Sequence, residues 1–148
     1  SNNQIYFYKA MKKVPFVFLI LLYVSVFSCG PKKSQNELLK EKVIQVHDEV
    51  MPKIGELKSS QEKLNDLAEN LEKSSEEEGE EKIRALKAAA EQCENAYDGM
   101  FVWMRQFDGD FEDMSEEQTK AYLEEQLEMV GKVKKDILQA LEKSEALL

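Results

Sequence analysis

The chain has 148 residues, with 29 acidic side chains against 20 basic ones and one histidine, for a net charge of −9 at neutral pH. That excess argues against nucleic acid as a ligand, because phosphate binding needs a basic face. It also argues against attachment to an anionic lipid surface by charge alone.

Residues Ser1–Ala10 precede Met11, the expected start, and are set aside from fold reasoning. Met11-Lys12-Lys13 then opens the apolar run Val14–Ser28, which has 15 residues and includes Pro15. A membrane-spanning helix needs about 20 apolar residues. A charged start, a shorter apolar middle and a small residue before a cut make a secretory signal instead, here residues 11–28. Ser28-Cys29-Gly30 resembles a bacterial lipobox. Val26 and Phe27 depart from its usual residues and are similar to the looser boxes of Bacteroidota lipoproteins. The expectation is a lipid on Cys29, with residues 29–35 as a tether. Two or more acyl chains anchor firmly where one is marginal. Gly30, Pro31, Lys32 and Lys33 follow the cysteine where surface-exported lipoproteins of that kind carry acids, so a periplasm-facing location is expected.

The part from Cys29 to Leu148 has 120 residues, which fits one domain. Lys9, Lys12 and Lys13 precede it and no acid does, so it holds 17 basic and 29 acidic side chains, a net of −12. With Cys29 acylated, Cys93 has no disulfide partner in the chain. Glu, Lys, Leu, Ala and Gln dominate, the composition of long helices, and no run of β-branched alternation suggests a strand.

A first helix is expected from about Asn36 to Lys73. Leu39, Val43, Val46, Val50, Ile54, Leu57, Leu64, Leu67 and Leu71 recur at mostly three- and four-residue steps, the period of a buried helix stripe. Ile44, His47, Met51 and Ile54 form a second stripe. Pro52 removes an N–H and crowds the carbonyl of Asp48, so a kink is expected near residues 48–52. Ser74–Glu81 reads as an acidic solvated turn containing Gly79. A second helix is expected from about Glu80 to Phe107, with Ile83, Leu86, Ala90, Cys93, Tyr97, Met100, Met104 and Phe107 as its seam. Asp108–Met114 resembles a calcium loop only superficially: Asp113 stands where glycine is needed and Thr119 where a bidentate glutamate is needed. Ser115 and Gln118 form a capping box that starts a third helix running close to the chain end. Its stripes hold Tyr122, Leu123, Leu127, Met129, Val130, Val133, Ile137, Leu138 and Leu141, and close packing is the expected reason for Gly131. Residues 36–148 are therefore expected to form an all-α, antiparallel, up-down-up three-helix bundle, long and coiled-coil-like.

Folding the helices about their turns places His47 level with Phe107, Met51 with Trp103, Ile54 with Met100, and Met104 with Gln118. His47, Met51, Met100, Trp103 and Met104 then gather at one pole, with Met114 in the turn that caps it and Asp48 beside the histidine. The segments VIQVHDEVMP, residues 43–52, and YDGMFVWMRQF, residues 97–107, resemble the signature segments of a small family of helical Bacteroidota lipoproteins often labelled "viral A-type inclusion protein". That resemblance implies a helical fold and a membrane-tethered location, and no activity.

Each pole residue also has a packing explanation. Methionine fills core gaps, Trp103 packs with its N–H expected at the surface, and His47 bonds a carboxylate or a carbonyl freed by Pro52. Catalysis is not expected, because no serine or cysteine nucleophile has a base at hand and there is no phosphate loop. Two functions fit. One is a lipid-anchored periplasmic bundle of structural or protein-interaction type, with no cofactor. The other is a soft-metal protein holding Cu(I) or Ag(I) with His47, Met51, Met100 and Met104, lined by Trp103, Met114 and Asp48, since soft ligands select soft ions.

Overall fold

The computed structural model describes residues 33–74 and 79–148. The expected leader, Cys29 and most of the tether lie outside the described residues, as does the centre of the acidic turn. Gln35–Leu148 is a compact unit. It is an all-α, antiparallel three-helix bundle, with no strand among the described residues. The elements are α1 (Gln35–Val50), a 3-10 turn (Met51–Lys53), α2 (Ile54–Ser74), α3 (Glu80–Gln106) and α4 (Glu116–Glu145).

The first expected helix is thus two helices joined at Pro52. Proline at the start of the 3-10 turn cannot donate a backbone bond, and the N–H of Ile54 reaches Met51 instead of one residue further back. This break changes the neighbours. α1 packs chiefly against α4, whereas α2 packs chiefly against α3. α3 and α4 run against each other along their length. Asn36 donates to the carbonyl of Glu116, and Lys134 donates to the carboxylate of Glu49, so α1 and α4 run parallel.

The helix ends follow their sequences. Gly79 is the N-cap of α3 rather than a mid-turn residue. The capping box of α4 is complete: Ser115 Oγ accepts from the Gln118 N–H, and Gln118 Oε1 accepts from the Ser115 N–H at 2.9 Å. The core holds Val43, Val50, Ile54, Leu57 and Leu64 from the first two helices, Leu86, Ala90, Cys93 and Met100 from α3, and Leu123, Val130, Ile137 and Leu141 from α4.

Three expectations are corrected here. Met104, placed on the α3 seam by spacing, stands 39% exposed, while Ala89, Ala96 and Trp103, expected as a second stripe of that helix with Ala85, are buried. Ile44, Leu67, Met129 and Leu138, assigned to stripes, are more than a third exposed. Gly131 is not explained by close packing, because a Cβ there would meet nothing within 4 Å.

Candidate functional site

The Pro52 break decides the geometry of the pole. Glu49 and His47 leave α1 on opposite sides, Glu49 toward Lys134 of α4 and His47 toward α3. The imidazole lies against Trp103, with ring centroids 5.8 Å apart. His47 is therefore level with Trp103, about one helical turn from the expected Phe107. At 1.5 Å per residue this brings Met104 level with Val46, within one residue of His47, and Met51 level with Gly99, next to Met100.

His47 Nδ1 is 2.9 Å from Asp48 Oδ1. A carboxylate only accepts, so Nδ1 is the donor, and in the neutral ring Nε2 carries the lone pair. That Nε2 is buried and has no hydrogen-bond partner. An unsatisfied buried polar atom costs about 1–3 kcal/mol. Met51, four residues on, is half-buried against the core. Met100 is wholly enclosed. Met104 lies about 100° around α3 from Trp103, on the side facing α1. A residue so placed is covered when the neighbouring helix packs on it. Met104 stands 39% exposed, and α1 packs chiefly against α4. Met114 is exposed on the loop, and its N–H closes a turn on the carbonyl of Phe111.

Trp103 differs from the expectation in one respect. Its N–H is not at the surface: the residue is 3% exposed, and Nε1 donates to Gln126 Oε1 at 3.0 Å. Gln126 is itself buried, and its amide nitrogen is 3.7 Å from Met129 Sδ. The indole also begins an aromatic series that spacing did not reveal. Trp103 stacks on Phe107 at 5.2 Å, Phe107 on Tyr122 at 6.3 Å, and Tyr122 meets Phe111 at 6.0 Å. Lys40 closes the series, its ammonium 5.0 Å from the Phe111 ring centre and 2.8 Å from the carbonyl of Gly109. Tyr122 Oη accepts from the Asp108 N–H at 2.8 Å. Asp108 and Asp110 accept from backbone N–H groups two residues on, which folds the loop with its own carboxylates.

Two electrostatic features stand out. The Lys134 ammonium holds the Glu49 carboxyl below its ordinary value. Burial pushes the Cys93 thiol up. Among the described residues, no three His, Cys, Asp or Glu side chains converge. The soft donors that helix spacing brings to this pole are the His47 imidazole and the thioethers of Met51 and Met104. In comparisons with family profiles, curated proteins and solved structures, nothing matches this chain.

Proposed function

We propose that the chain is a lipid-tethered, non-catalytic bundle that holds a periplasmic partner in the groove between α1 and α3. The observation that carries this reading is the pair Ile44 and Met104, 37% and 39% exposed, on the flank where α1 leaves α3. Ile44 and Met51 lie three and four residues from His47 and share its side of α1. Half-buried Tyr97 and Phe101, their rings 4.8 Å apart, continue the apolar wall on α3. Glu37, Glu41, Ile44, Asp48 and Met51 step 4-3-4-3 along one face of α1. Glu94, Asp98, Phe101 and Arg105 step 4-3-4 along α3. The wall is apolar, and its rim carries five acids against Lys40 and Arg105.

Such a groove fits an amphipathic helix with a cationic rim. A second copy of this acidic chain brings the same charge sign and is disfavoured. The tether reading rests on the lipobox-like Ser28-Cys29-Gly30 and on the likeness to Bacteroidota lipoproteins.

The test uses a synthetic helix with leucines on one face and lysines on the other, titrated against the full chain in detergent. Saturable binding is expected, lost in the variant Ile44→Glu with Met104→Glu. Those changes add negative charge, so they strengthen any non-specific attraction for lysine. Loss of binding therefore reports the groove. Undiminished binding by the double variant refutes the reading, as does sedimentation showing the groove occupied by a second copy. Leu67→Glu, on α2, serves as the control and leaves binding unchanged.

A further inference from the structure

We propose that His47 Nε2, with the thioethers of Met51 and Met104, is a site for a monovalent soft cation, Cu(I) or Ag(I). The inference shares Met51 and Met104 with the docking groove but needs no partner and concerns the chain alone. Four observations converge. First, the histidine is already prepared as a ligand. Asp48 fixes the proton on Nδ1 and leaves the lone pair on Nε2. A carboxylate bonded to the far nitrogen is the usual support of a metal-binding imidazole. Second, that lone pair is closed to solvent and meets no donor. No protein donor meets it, and a bound cation would use the lone pair that the fold leaves unpartnered.

Third, the neighbouring donors are sulfur. Met51 stands one turn from His47 on the same side, and Met104 comes within one residue of its level from α3. Imidazole and thioether together carry no charge and select soft monovalent ions over hard divalent ones. Met100 is wholly enclosed by the core and is left as packing. Fourth, the aromatic ring set against the imidazole is Trp103, whose face stabilises a desolvated cation. Met104 is the partly exposed member of the set, at 39%. The break at Pro52 is what makes the arrangement possible. N-terminal to it α1 packs chiefly against α4, and Met104 stands 39% exposed rather than sealed in the seam.

The experiment titrates Ag(I), in chloride-free buffer, into the full chain in detergent. Cys93→Ala removes the competing free thiol. Native mass spectrometry counts the silver, and the fluorescence of Trp103, the one tryptophan in the chain, reports the site. Methyl-labelled methionines are followed by NMR. The expected result is one silver per chain, quenched indole emission, and shifted methyl signals from Met51 and Met104. Met114 and Met129 stay unmoved. His47→Ala is expected to weaken binding at least tenfold, about 1.4 kcal/mol or more, with helicity checked by circular dichroism. Should that variant fail to fold, the methyl shifts in the parent, and in the chain with Cys93 intact, still decide. Absence of a silver-bound mass overturns the proposal. So does bound silver that leaves Met51 and Met104 unshifted, or affinity unchanged in a folded His47→Ala.

Discussion

Gly131 lies at the middle of α4, where glycine is the least suitable of the ordinary residues. Its backbone retains more freedom in the unfolded chain, so an interior glycine costs about 0.8–1.0 kcal/mol against alanine. A glycine can repay that where another backbone approaches, but a Cβ on Gly131 meets nothing within 4 Å. The full propensity difference should then appear as added stability in Gly131→Ala. For a domain of this size, 1 kcal/mol corresponds to about 4 °C in Tm. Thermal and urea unfolding, followed by circular dichroism, measure it. The urea midpoint should rise with the slope unchanged, because the area exposed on unfolding is nearly the same. An unchanged or lowered midpoint refutes the reasoning. It would mean that something outside the bundle seen here, such as a partner's helix, approaches the backbone at this position.

Four further outcomes follow from the same structure. Leu86, wholly buried on α3, should lose about 2–5 kcal/mol on Leu→Ala, measured by urea unfolding. Gln126→Leu strands the buried Trp103 N–H and should cost about 1–3 kcal/mol, with part recovered by adding Trp103→Phe. Glu49→Gln should lower stability at neutral pH. Because Lys134 depresses the folded-state value of that carboxyl, its stabilisation is present above the ordinary carboxylate range and lost as pH falls through the folded value, so the gap to wild type should close on acidification. Cys29→Ala should abolish acylation and release the chain from the membrane fraction after signal cleavage; a chain still bound through an uncleaved apolar run contradicts the lipoprotein reading.

Much of the fold was legible from local rules. The helix period placed α3 and α4 close to their ends, Ser115 with Gln118 marked a cap, and Pro52 marked a kink where the structure has a full break. Each of these is decided within one turn of chain. The level at which helices meet is not. Treating Asp108–Met114 as a tight reversal put Trp103 opposite residue 119, yet it bonds Gln126, about two turns further along α4. The loop is longer in space than a reversal. Asp108 and Asp110 wind it on their own backbone, and Tyr122 receives its first N–H. The aromatic series from Trp103 to Phe111 exists because of that offset, and no spacing in the sequence announces it.

Met100 and Met104 show where sequence spacing stops being informative. They are four apart on one helix, on one stripe, and of one residue type. One is fully enclosed and the other is 39% exposed. Nothing in α3 distinguishes them. The difference is supplied by the other helix, which α3 meets as α2 on one side of Pro52 and largely loses as α1 on the other. A proline therefore acts at a distance from its own turn. It leaves a seam position of α3 partly exposed where the same stripe one turn back is sealed. The residues named from the sequence for this pole thus divide in two. His47, Met51, Trp103 and Met104 take their surroundings from the break, while Met100 belongs to the continuous core. Straightening α1 onto α3, for instance by Pro52→Ala, should bury Met104 and close the groove. Binding of the lysine-faced helix and of silver should then fall together, while the helical content of the bundle is kept.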